Sequence, residues 1–202
     1  MISLLPVGLE PRLMAQVRFI VEIDRLKTVL RQTKLADGSR RENSAEHSWH
    51  LALMAIALAD YAPLGVDLHR AIALLLVHDL VEIDAGDTFC YDVAGNADKA
   101  EREQRAADRI FGLLPSDQGQ DYRELWDEFE AGETVTAQFA IALDRLQPFL
   151  LNLANHGGTW REHGIDEARI RDRMAPVARV SPELGGMVEA AIAQCRAAGC
   201  IP

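Results

Sequence analysis

Residues 71–82 read Ala-Ile-Ala-Leu-Leu-Leu-Val-His-Asp-Leu-Val-Glu. An unbroken apolar run ends in a side-by-side histidine and aspartate, His78 and Asp79. In a stretch that reads as buried core, an ionisable pair costs several kcal/mol unless a metal or a partner compensates it. Three further residues of the same chemistry stand in similar surroundings: His47, Asp87 and Asp144. The order His…His-Asp…Asp frames the rest of the chain.

Outward from that run, nearly every long segment carries apolar residues at helical spacing, and no run alternates with period two. The pattern predicts an all-α fold. A first helix is expected over about Glu10 to Lys34, with a loop at Ala36 to Ser39. Asn43 reads as an N-cap that Glu46 completes as a capping box. The helix it opens reaches about Tyr61 and is apolar on most sides through Leu51, Leu53, Met54, Ile56 and Leu58, which marks it as central. Pro63 and Gly65 break the chain, and Asp67 caps the helix that leads into His78-Asp79. A loop rich in helix breakers covers Gly86 to Gly95. Helices follow at Lys99–Leu114, Gln120–Ala131 and Val135 to about Asn155, with weaker ones near Asp166–Met174 and Glu183–Ala198.

The 202 residues, 49% of them hydrophobic, suit one domain with a sizeable core. A net charge of −10 disfavours binding to nucleic-acid polymers or anionic membranes. Cys90, Cys195 and Cys200 lack the spacing of a metal finger or a secreted disulfide scaffold and read as reduced thiols. The segment Met1 to Pro11 lacks the basic region and cleavage site of a signal peptide, and no uncharged run reaches membrane-span length. The expected location is the cytoplasm.

Three predicted helices thus each bring an imidazole or a carboxylate to an interior position. Two imidazoles and two carboxylates make a mixed nitrogen and oxygen site suited to Mn, Fe, Co, Ni, Zn or Mg. Glu82 follows His78 by four residues and Asp79 by three, so a continuing helix sets all three on one face. Asp87 comes just after the turn at Gly86. Such acids beside a metal ligate a second ion or act as general base and acid on water. Pro148 removes the main-chain donor to the Asp144 carbonyl, which is expected to bend that helix near Asp144. In this acidic chain, Arg25, Lys27, Arg31, Lys34, Arg40 and Arg41 cluster just before His47, where a phosphate substrate would need them.

The set His47, His78-Asp79 and Asp144 resembles the HD-domain metal-dependent phosphohydrolases. Within them, Arg25-Leu26-Lys27, Arg31, Glu46-His47-Ser48, His78-Asp79-x-x-Glu82 and Gly86-Asp87 resemble the 5'-deoxynucleotidase branch. The resemblance covers about Phe19 to Leu151 and implies one HD-type helical domain over residues 1–202, completed by C-terminal helices over about 152–202. It implies a helical bundle, usually a homodimer, that removes phosphate from deoxynucleoside 5'-monophosphates. By the same resemblance His47, His78, Asp79 and Asp144 bind the divalent metal, Glu82 and Asp87 serve the attacking water or the leaving oxygen or hold a second metal, and Arg31 grips the phosphate. Gln32 stands where that branch can carry an aromatic residue against the nucleotide. The segments Thr88 to Gly95 and Gly157 to Gly164 have no clear counterpart in it. The competing readings are an HD phosphodiesterase or alarmone hydrolase, and a non-catalytic, metal-stabilised dimeric interaction module. His50 is expected behind the site, His69, His156 and His163 at the surface or in loops, and Lys99–Arg109 as a solvated helix face, with an approach of its acids to the site as the alternative.

Overall fold

The fold is built by a chain of capped helices around one short hairpin. It is taken from a computed structural model that describes Gly8, residues 10–92 and residues 94–202. Most of the segment Met1 to Pro11, read above against a signal peptide, therefore lies outside the described residues.

Helix α1, Pro11–Ile23, starts with proline in its first turn and with the Glu10 carboxylate accepting from the amides of Arg12 and Leu13. It ends well before Lys34. A 3₁₀ turn over Asp24–Thr28 follows, and then strand β1, Leu30–Lys34, pairs antiparallel with β2, Arg41–Asn43. The β-branched Thr28, Val29 and Thr33 weaken a helix here. The strand is only five residues long and mostly polar, so it left no period-two apolar signal. Gly38, at φ +71°, makes the turn between the strands. This hairpin is the one departure from an all-helical chain among the described residues.

Helix α2, Ser44–Ala57, opens on the expected capping box of Asn43 and Glu46. It stops short of Tyr61 and is one-sided, with Trp49, Leu53 and Ile56 exposed, so the expectation of a central helix apolar on most sides is corrected. Asp67 caps α3, Leu68–Val77, and the chain then tightens into a 3₁₀ turn over His78–Val81 before a single helical turn, α4, Glu82–Ala85. Helices α5, Lys99–Phe111, α6, Ser116–Ala131, and α7, Val135–Ala154, follow. A short helix that the sequence pattern did not reveal, α8, spans Gly158–Glu162. The last two, α9, Glu167–Val180, and α10, Pro182–Ala197, are capped by Asp166 and Ser181.

Two apolar clusters hold the bundle together. The larger joins Leu51 of α2, Leu74 and Leu75 of α3, and Phe139, Leu143 and Phe149 of α7 to Ile170, Val177 and Ile192 of the C-terminal helices. Burial of each such side chain contributes about 1.5–3 kcal/mol. The smaller packs Phe19, Leu26, Ile110, Phe111 and Trp126 around Leu80 and Val81. The His78–Val81 turn lies where the two meet. No helix among the described residues is long and apolar enough to cross a membrane.

Candidate metal centre and active site

The 3₁₀ turn at His78–Val81 decides how the site is delivered. In that geometry residues three apart eclipse one another, so Asp79 and Glu82 stack on one side. His78, Asp79 and Glu82 are all buried. With Asp87, set just beyond the positive-φ Gly86, they line a cavity of about 200 Å³ that Asp144 and Arg31 also line.

His47, His78 and Asp144 each offer one ligand atom, and the three atoms lie within 4.8 Å of one another. His47 Nε2 is 3.0 Å from Asp144 Oδ1, and His78 Nε2 is 3.8 Å from the same oxygen. Asp79 stands against both histidines, its Oδ1 3.0 Å from His78 Nε2 and its Oδ2 4.0 Å from His47 Nε2. Among the described residues the buried His78 Nε2 has this contact with Asp79 but no well-aligned hydrogen bond, while its Nδ1 lies 2.8 Å from the Leu75 carbonyl and donates to it. An orphaned imidazole nitrogen aimed at two carboxylates and a second imidazole fits a divalent cation.

The tautomer of His47 follows from its neighbours. Gln147 lies one helical turn after Asp144 on α7 and is fully buried. Its Nε2 donates to Glu42 Oε2 at 2.8 Å and lies 3.2 Å from His50 Nδ1. Its Oε1 therefore faces His47 Nδ1, 3.1 Å away, as an acceptor. His47 Nδ1 carries the proton and Nε2 presents its lone pair toward Asp144 and the cluster. A hydrogen-bonded partner behind a ligating imidazole fixes its tautomer and ring orientation in this way.

The cavity's charges are strongly coupled. Burial lowers the His47 pKa and Arg31 adds to the effect, against the pull of Asp144 and Asp79. Burial also opposes charge on His78, but Asp79 and Asp144 outweigh it and push that imidazole up to about 9. A bound cation would displace that proton. Burial would raise Asp79 too, yet His78 and Arg31 hold it well below the usual carboxylate range. Burial, with Asp79 nearby, raises Glu82 well above that range, and Ser44 Oγ donates to Glu82 Oε2 at 2.6 Å. Burial raises Asp87 as well. Arg31 comes from β1 and bonds Asp79 Oδ2 at 2.9 Å, with Asp87 Oδ1 at 3.6 Å and Glu42 Oε1 at 3.5 Å. Glu42 itself is pushed up to about 7 by burial, against the pull of Arg31.

A family model for the HD domain matches residues 23–184. The chain belongs to the HD-domain family. Among relatives of this HD-domain chain, the human 5'-deoxynucleotidase HDDC2 is 30% identical over 135 residues, 66% of this chain and 65% of that protein. The mouse protein of the same name is 31% identical over the same length. The matched region thus spans just under two thirds of these relatives. A crystal structure of a protein from Magnetospirillum magnetotacticum, named a predicted metal-dependent phosphohydrolase, is 52% identical, with a TM-score of 0.90 over 95% of this chain and 99% of that one. A Pyrococcus furiosus protein shares the fold at a TM-score of 0.60 and 19% identity, covering 89% of this chain and 98% of its own.

Every candidate site residue named from the HD-domain sequence pattern is brought to this one region. The sequence reading missed Glu42 and Gln147, which form its back wall. Gln147 had a signal, a polar residue one turn from Asp144 on an apolar helix; Glu42, on a short strand, had none. It also missed Arg145 and Arg173. The Lys99–Arg109 segment is not uniformly solvated: Glu103 is buried, and Lys99 and Glu103 line the cavity 3.4 Å apart. The two segments without a family counterpart supply wall residues too, including Phe89, Tyr91, Thr159 and Trp160.

Proposed function

We propose that this HD-domain protein is a cytoplasmic, metal-dependent phosphomonoesterase that releases phosphate from (deoxy)nucleoside 5'-monophosphates. One observation carries the reading: a single cavity holds an orphaned imidazole beside carboxylate ligands, a buried high-pKa carboxyl at Glu82 and the guanidinium of Arg31. The names of the relatives, 5'-deoxynucleotidase for the curated ones, favour the nucleotide substrate.

His47 Nε2, His78 Nε2, Asp79 and Asp144 would hold the cation. When bound, such an ion neutralises phosphoryl charge and makes water a better nucleophile. Arg31 binds the equatorial phosphoryl oxygens, oriented by Asp79 and Asp87. Ser44 fixes Glu82 through Oε2, and the carboxylate form of Glu82 takes the proton of the attacking water. A bond forms from water oxygen to phosphorus as the phosphorus–O5' bond breaks. Asp87 passes a proton to the departing O5'. Phe89, Tyr91 and Gln32 on the cavity wall are placed to meet the nucleoside.

Purified protein given Mn or Co should release phosphate from at least one of dAMP, dGMP, dCMP and dTMP, and chelation should abolish the release. No release across that panel, extended to ribonucleotides, sinks the proposal. Homodimerisation belongs to the same reading, supported by the exposed apolar stripe Trp49, Leu53 and Ile56 on α2; sedimentation of the purified protein at the mass of one chain would remove it.

Gln147→Leu should weaken metal affinity about 10–100-fold without unfolding the bundle, because His47 then loses the acceptor that sets its tautomer. Competition with a fluorescent chelator measures this. Unchanged affinity would mean that His47 needs no support from Gln147.

A further inference from the structure

Two cations of the cavity have no part in the chemistry above. Arg145 and Arg173 both line it. Arg31 is engaged by Asp79, Asp87 and Glu42, and Lys99 by Glu103. Arg145 is half-buried yet makes no hydrogen bond or ion pair among the described residues. Arg173 has one contact, Nη2 to Asp144 Oδ2 at 3.7 Å, too long for a hydrogen bond. The two arginines come from different elements, α7 and α9, and are close enough for their charges to disfavour one another.

Their position separates them from the ligand histidines. His47 and His78 face Asp144 Oδ1, whereas Arg173 faces Oδ2. Arg31 lies at a different carboxylate, Asp79. Asn152 adds a third group. It sits seven residues beyond Arg145, on the same face of α7, and lines the cavity. Its Oδ1 accepts from both the amide and the hydroxyl of Thr159 at 2.8 Å, and its Nδ2 donor has no partner among the described residues. Two guanidinium forks and an amide donor on one wall recognise a phosphate, which accepts bidentate bonds from arginine.

We propose that Arg145, Arg173 and Asn152 form a second phosphate-binding subsite in this cavity, so that the preferred substrate is a nucleotide with a second phosphoryl group besides the one hydrolysed. The proposal rests on the phosphomonoesterase reading for the assignment of the first phosphate. It divides the work of the cavity: the metal cluster and Arg31 hold the phosphate that leaves, and the α7–α9 wall holds the one that stays.

Isothermal titration calorimetry tests this on Mn-loaded Glu82→Gln protein, which keeps ligands intact during the titration. Adenosine 3',5'-bisphosphate should bind at least about tenfold tighter than AMP, the discrimination that one or two charge-assisted hydrogen bonds provide. Arg145→Gln and Arg173→Gln should each collapse that ratio toward one, and Arg173→Lys should restore part of it. Equal affinity for both ligands in the parent protein overturns the subsite. So does an equal loss for both ligands in the arginine variants, which would assign the arginines to the scissile phosphate. Phosphate release by wild-type protein is followed in parallel. Arginine-dependent preference for the bisphosphate without release of phosphate from either compound would leave the subsite standing and remove the phosphomonoesterase reading; binding of neither removes both.

Discussion

Glu82→Gln should cut phosphate release by about three orders of magnitude while helical content and bound metal stay at wild-type levels. The size follows from what general acid–base groups contribute, about 10²–10⁴-fold. The substitution is nearly isosteric, and the amide oxygen can still accept from Ser44 Oγ, so the buried contact at 2.6 Å survives. Glu82 is not among the clustered ligand atoms of His47, His78 and Asp144. On the proposed role, the variant would lose a buried carboxyl that takes and returns a proton. Circular dichroism, elemental metal analysis and initial rates, measured on one preparation, separate these effects. A variant that turns over like the wild type would remove Glu82 from the mechanism. If wild type and variant alike release no phosphate, the metal-stabilised interaction module becomes the better account.

Asp144→Ala should lower bound Mn from about one equivalent per chain to less than about a tenth, and abolish metal-induced stabilisation with it. Asp144 Oδ1 is the oxygen that both histidines approach, at 3.0 and 3.8 Å, so its loss opens the centre of the cluster. Wild-type protein at metal concentrations about a hundred times Kd should gain about 2.7 kcal/mol, visible as a higher melting temperature. The variant's melting temperature should not respond to metal. Its metal-free stability is read separately, since the substitution also removes the contacts of Asp144 with His47, His78 and Arg173. Differential scanning fluorimetry with and without Mn reads both quantities. A full metal-induced shift in the variant would exclude Asp144 as a ligand.

How far the sequence disclosed this site depended on the element that carried each residue. His47, His78-Asp79 and Asp144 stood out because long apolar helices made them anomalous. Asn43 and Glu46 marked the start of α2 because capping is local chemistry. Arg31 was found as a charge but misplaced on a helix, because β1 is too short and too polar to declare itself. The same strand pair hid Glu42, whose meaning depends on pairing across the hairpin. Arg173 lay in a helix of weak periodicity, and nothing local indicates that α9 packs on α7 beside Asp144. Residues defined by where distant elements meet have no signature within their own segment.

The distance in sequence between the donors has a consequence for how the protein is assembled. His47 and Asp144 lie 97 residues apart, and Gln147 stands 105 residues from Glu42. The adjacent pair on the 3₁₀ turn gives an incoming ion only one imidazole and one carboxylate, too few for a tight tetrahedral or octahedral site. The chain must bring α2, α3 and α7 together before the full donor set exists. On the proposed ligand set, tight binding of a metal would therefore need these helices brought together. On the same ligand set a bound ion would fasten three helices across long stretches of chain, so that unfolding would have to release it or carry it away.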